Sequence, residues 1–123
     1  MNWSGTGAVA MGLAVMLGAF GAHALRGRLD SYSLGVYEKA VFYHFIHAIG
    51  LLVVALMPKA GLLNAAAANR ICWLLIAGIL IFSGSLYALS ISGIRTLGAI
   101  TPLGGTAFIL AWFLLACHLF RGR

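Results

Sequence analysis

A chain of 123 residues has the length of one domain, yet 63% of it is hydrophobic and 8% is charged, against about 25% charged in ordinary soluble domains. That balance excludes disorder, a collagen-like chain and a disulfide scaffold, and it argues against an aqueous enzyme fold. The net charge of +6 does not point to nucleic acid, because no basic cluster stands beside a water-soluble core.

A hydrocarbon layer about 30 Å thick takes roughly 20 apolar residues in a helix. Helices are required, because lipid offers unpaired backbone groups no partner. Four stretches qualify, which predicts an all-α integral membrane four-helix bundle forming a single domain over residues 1–123. The first span runs from about Trp3 to Leu25 without a charge. Ala22-His23-Ala24 at its end resembles a signal-peptidase box, but no positive charge precedes the run and it is longer than a signal core, so it is read as uncleaved. Small residues recur every four positions at Ala14, Gly18 and Ala22, and earlier at Ala8 and Gly12. Such rows let helix backbones approach, either inside the bundle or at a homodimer seam.

Gly27 to Glu38 mixes Leu29, Tyr32, Leu34, Val36 and Tyr37 with polar residues. It reads as an amphipathic segment at the membrane interface between the first two helices, with Glu38 interfacial. The second span follows from about Lys39 to Met57 and is closed by Pro58. At 100° per residue, Tyr37, Ala40, Tyr43, His44 and His47 fall in a sector of about 120°, opposite Phe42, Phe45, Ile49 and Leu52. Both histidines should therefore look into the bundle. The third span runs from about Ile71 to Ser92, with Gly84 and Ala88 four apart and Gly78, Ser85 and Ser92 seven apart. The fourth runs from Pro102 to Phe120, with Thr101 as the expected cap and proline in the first turn.

Four spans put both termini on one side, with Lys59, Arg70, Arg121 and Arg123; Arg26, Arg28, Lys39 and Arg95 lie on the other. Positive charge is tied, and the termini are assigned to the cytoplasm because two arginines end the chain with no acid nearby.

An ionisable group inside a span is costly and so becomes a functional candidate. His23, His44 and His47 fall in the half of the membrane away from the termini, where Tyr87 ends the third span and Thr101 starts the fourth. A polar pocket in one leaflet is predicted from His23, Tyr43, His44, His47, Ser83, Tyr87 and Thr101. His118, Cys72 and Cys117 lie in the other half, and the cysteines read as small packing residues. Three chemistries could use the pocket: a metal held by His44 and His47 at i, i+3, a haem, or a proton relay, headgroup or quinone site. Glu-x-x-His pairs are missing, so no metal set, cofactor or catalytic residue is assigned. Hydrogen bonding between helices is the reading that needs least.

Three blocks resemble the signature of one family: Gly18-Ala19-Phe20-Gly21-Ala22-His23-Ala24-Leu25, Phe82-Ser83-Gly84-Ser85-Leu86-Tyr87 and Thr101-Pro102-Leu103-Gly104-Gly105. Together with Tyr43 and His47-Ala48 they are similar to the transmembrane protein 256/YgdD family of small inner-membrane proteins. The resemblance implies a four-span fold in the cell inner membrane and supplies no reaction. His23, Glu38, His47, Ser83, Tyr87 and Thr101 match its pattern, whereas His44 and His118 do not. The expectation is a binding or accessory protein, not an enzyme, whose pocket takes a lipid headgroup, a quinone or a partner subunit. Membrane lipids are the expected partners, with a homo-oligomer or larger membrane complex also open. A small proton-coupled transporter is the alternative, weakened because the first span holds no carboxylate, and a histidine-based metal or haem protein comes after it.

Overall fold

The computed structural model describes residues 1–122; Arg123, counted in the charge tally, lies outside them. Helix α1 spans Trp3–Leu25, α2 Ser31–Leu56, α3 Ala65–Ser92 and α4 Arg95–Arg121. All four are long and apolar enough to cross a membrane.

Short polar side chains set the helix starts. The Asn2 side chain accepts from the Gly5 amide at 3.0 Å, Asp30 from Ser33 at 2.7 Å and Asn64 from Ala67 at 2.8 Å. Each satisfies an amide that the helix itself leaves free. Helix α3 stops at Gly93, where a φ of 74° favours a residue without a Cβ. Helix α4 opens as a 3₁₀ turn over Arg95–Ala99 and becomes α-helical at Thr101.

Two starts differ from expectation. Helix α2 begins at Ser31, not Lys39, so the interfacial stretch forms its first two turns instead of a separate element. Asp30 caps it there, and Tyr37 shares a buried face with Ala40 and His44, so packing carries one axis straight through. Twenty-six residues reach about 39 Å at 1.5 Å each, more than the hydrocarbon layer needs. Helix α3 begins at Ala65, ahead of Ile71, because Asn64 caps a run of four alanines. Thr101 is not the cap of α4: Ile100 stands at that position, and the Thr101 hydroxyl lies 2.6 Å from that of Ser85.

Close backbone packing runs α1 on α2, α2 on α3 and α3 on α4. The face of α1 that meets α2 carries Gly7, Ala10 and Ala14, while Ala8, Gly12 and Ala22 face outward. Leu52 of α2 sits over Gly7, 2.8 Å from where a Cβ would stand. On α3, Gly78 and Ser85 are buried as expected, whereas Ala88 and Ser92 are exposed. The apolar core joins Leu51 and Val54 of α2 with Ile71 and Leu75 of α3 and with Phe108 and Ala111 of α4. At the terminal end, the Trp3 indole donates to Asn69 Oδ1 at 2.8 Å and ties α1 to α3.

Two helices widen to a π turn, α1 over Gly21–Leu25 and α3 over Ile79–Ser83. Beside each lies a hydrogen bond to α2: the Tyr37 hydroxyl donates to the Leu17 carbonyl, and the Ser83 hydroxyl donates to the Ala40 carbonyl at 2.9 Å. A loosened turn is tolerated in lipid where neighbouring helices supply such partners.

Candidate functional site

Helix α2 is the spine of the polar set. His44 and His47 are each 5% exposed, so both look inward as the wheel predicts. They do not look at the same neighbour. The His44 Nδ1 lies 2.9 Å from the Tyr87 hydroxyl of α3, with the Ala10 carbonyl of α1 near the ring. Tyr87 in turn meets Tyr37 edge-on, with centroids 5.2 Å apart.

His47 points toward α4 instead. Its Nδ1 is 2.8 Å from the Tyr43 carbonyl, and a carbonyl can only accept, so Nδ1 carries the proton. The Trp112 indole donates to Nε2 at 3.0 Å, and an indole can only donate, so Nε2 holds a lone pair. His47 is thus a neutral ring of one defined tautomer with both nitrogens engaged. It stacks on Phe108 with centroids 3.5 Å apart and planes 13° off parallel. A metal ion or a moving proton would have to displace Trp112 first. The diverging His44 and His47 rings remove the geometric basis for a shared metal.

The remaining candidates separate. Ser83 and Thr101 bond across helices, as described above. Tyr43 packs against Phe82 at 4.6 Å between centroids. His23 is exposed at the end of α1 and joins none of these contacts, so the predicted convergence of His23 with His47, Tyr87 and Thr101 in one leaflet does not form. Depth gives the reason. His44 lies thirteen steps from Ser31, about 20 Å along a helix of about 39 Å, so the histidines stand near the middle of α2, while His23 lies in the last turn of α1 and Thr101 opens the α-helical part of α4. Glu38 is exposed and lines a crevice with Arg26 between α1 and α2. Cys72 is buried and Cys117 exposed, both as free thiols. His118 is half-buried in the last turns of α4.

The hydrogen-bonded groups therefore close up as contacts between helices and leave no common polar pocket. The open space lies beside them. A groove of about 340 Å³ between α2 and α4 is lined by Tyr43, His47, Phe82, Gly105, Phe108 and Trp112. Phe82 also lines a second groove, of about 410 Å³, which carries Tyr32, Val36, Lys39 and Thr101 toward the surface. On α2 the lining positions 32, 36, 39, 43 and 47 form one stripe at helical spacing, and on α4 positions 101, 105, 108 and 112 form another. In the inner groove the Tyr43 hydroxyl makes no hydrogen bond among the described residues.

Phe82, Phe108 and Trp112 line the groove but, as apolar or aromatic residues, do not stand out in the sequence as costly polar groups do. A signal was present: a tryptophan inside an apolar span needs an acceptor for its N–H, and it recurs seven residues after Gly105. Two close approaches shape the groove. The Trp112 ring tip lies 2.9 Å from the Cβ position of Gly50, which lets the indole reach His47. At Gly104 a Cβ would overlap the backbone of Phe82, so that glycine brings α3 against α4. Outside the spans, the Asp30 carboxyl is held below its usual range, chiefly by the backbone N–H of Ser33, then by the Ser33 side chain, with Arg95 adding to it.

Comparison with known proteins adds a family. The chain is 50% identical over 109 residues to the UPF0382 membrane protein YwdK of Bacillus subtilis, covering 89% of this chain and 88% of that one. It is 44% identical over 115 residues to a UPF0382 membrane protein of Staphylococcus saprophyticus, covering 94% and 93%. A UPF0382 membrane protein of Staphylococcus haemolyticus is 43% identical, covering 94% and 92%. No solved structure matches. A family model described as "Protein of unknown function (DUF423)" matches residues 17–105, which contain all three sequence blocks. That family stands in place of the transmembrane protein 256/YgdD family suggested by the blocks, and the two are compatible. With four apolar helices and relatives named as membrane proteins, the chain is a membrane protein of the DUF423 family.

Proposed function

We propose that this protein binds a membrane-soluble amphiphile, which enters sideways from the lipid into the cleft between α2 and α4. The observation that carries this reading is the aromatic trough around Tyr43. A hydroxyl on a membrane-spanning helix that makes no hydrogen bond among the described residues, in a groove also lined by Phe82, Phe108 and Trp112, is costly in oil. A ring carbonyl or ester oxygen of a bound amphiphile would satisfy it, while the aromatic walls take the apolar part. A Cβ at Gly105 would make only ordinary contact with Phe82 at 3.6 Å, so a larger side chain there can enter the trough without breaking the helix packing.

In this reading the histidines are structural and the protein is not an enzyme. The transporter reading has less support: α1 holds no carboxylate, and exposed Glu38 is the only acid on α2. We assign the protein to the cell inner membrane, as the family resemblance implies, with cytoplasmic termini because two arginines end the chain with no acid nearby.

Native mass spectrometry after mild detergent extraction tests the proposal. The wild-type chain should retain one amphiphile, and Gly105→Leu should lose it while keeping its helical circular-dichroism signal. A wild-type chain that carries no bound species into the gas phase, with its fold intact, would overturn the proposal.

A further inference from the structure

The two grooves share Phe82, and only the outer one bears charge. Lys39 lines it, exposed, with its four-carbon stem able to carry the ammonium toward the surface. Tyr32 lines the same groove, and the Arg95 guanidinium lies 4.2 Å from the centre of its ring. Of the nearby acids, only Glu38 is turned elsewhere. Asp30 caps α2 and lies on the Arg95 side, and Glu38 lines the crevice on the opposite face of α2 with Arg26. Lys39 makes no ion pair among the described residues. The cleft is therefore cationic at its mouth and aromatic at its floor.

Resting on the amphiphile reading above, we infer that the occupant is an anionic phospholipid, whose phosphate lies between Lys39 and Arg95 and whose chain runs past Phe82 toward Tyr43 and Trp112. Depth supports this order. From Lys39 to His47 is eight residues, about 12 Å along the axis, so the cations stand above the trough as a headgroup stands above its acyl chain. A neutral or zwitterionic lipid could fill the trough but would leave the Lys39 ammonium without a partner charge. The polar end of the amphiphile, which the groove volumes alone leave open, is thus set by charge.

The test uses the full-length protein in nanodiscs of equal phosphatidylglycerol and phosphatidylcholine, with the retained lipid identified by native mass spectrometry. Each cation near the surface should favour the anionic lipid by about fivefold. Wild type should enrich phosphatidylglycerol, Lys39→Gln and Arg95→Gln should each lower the enrichment by about that factor, and the double variant should retain both lipids alike. Both side chains are exposed, so folding should not depend on them. Equal retention by wild type, or unchanged enrichment in the double variant, would overturn the inference while leaving the amphiphile reading standing. Enrichment that persists in Gly105→Leu would also overturn it, by moving the preference to the outer surface. Millimolar glycerol phosphate should displace nothing; displacement would mean that the cations read a free phosphate, and would refute a lipid occupant. No retained lipid in any form would instead refute the amphiphile reading itself.

Discussion

The His47–Trp112 contact supports a quantitative prediction. Trp112→Phe removes the indole N–H and leaves the His47 Nε2 lone pair facing an aromatic trough. His47→Phe keeps a ring stacked on Phe108 but leaves the indole N–H without its acceptor. The Tyr43 carbonyl is little affected, since it remains within the helical backbone ladder of α2. Each single change thus orphans one polar group, and the double change orphans neither. Hydrogen bonds between membrane helices average about 0.6 kcal/mol and reach about 1.7 kcal/mol. The double variant should therefore be more stable than the sum of the single losses by about 0.6 to 1.7 kcal/mol, or about threefold to eighteenfold in the folding equilibrium. Steric trapping in bicelles measures this on all four members of the cycle. Additivity within about 0.3 kcal/mol would refute the assigned bond. So would a nitrogen NMR spectrum of His47 with the proton on Nε2 instead of Nδ1.

Two further predictions follow from packing and charge. Gly104→Ala and Gly78→Ala press a methyl onto the Phe82 backbone and the Phe108 ring and should cost about 1–3 kcal/mol, whereas Gly12→Ala, with open space around it, should be neutral or slightly stabilising in the same unfolding assay. The Asp30 pKa is lowered on folding, so its contribution is present above the unfolded value near 3.8 and is lost as pH falls through the lower folded value. Hydrogen exchange at the Ser33 amide, measured at matched intrinsic rate, should quicken below about pH 4, and Asp30→Asn should abolish that dependence while keeping the cap.

Much of the fold was legible because a bilayer asks a simple question of each segment. Length and apolarity name four helices, and the 100° period turns Tyr37, Ala40, His44 and His47 inward without any neighbour being known. Helix starts were harder. The Asp30 and Asn64 caps lie outside the apolar runs, so hydropathy placed α2 and α3 too late. The small-residue rows were legible as rows but not as faces: Ala8 and Gly12 share a spacing with Ala14 and Gly18 yet face away from α2, because the six residues between the rows, at 100° each, set them about 120° apart around the helix. The candidate site was read least well. His44 and His47 stand out as costly groups, but an i, i+3 pair on one helix can face two different neighbours, and here one faces Tyr87 and the other Trp112.

Composition and periodicity alone determined that the chain crosses a membrane four times as helices and turns His44 and His47 inward, since both follow from the cost of polar groups in hydrocarbon. Only tertiary structure decided which nitrogen of His47 carries the proton, that His23 stands apart, and that Phe82 lines both grooves. Those features depend on pairs far apart in the chain, such as Gly50 with Trp112 and Gly104 with Phe82, where the absence of a single Cβ sets how closely two helices meet.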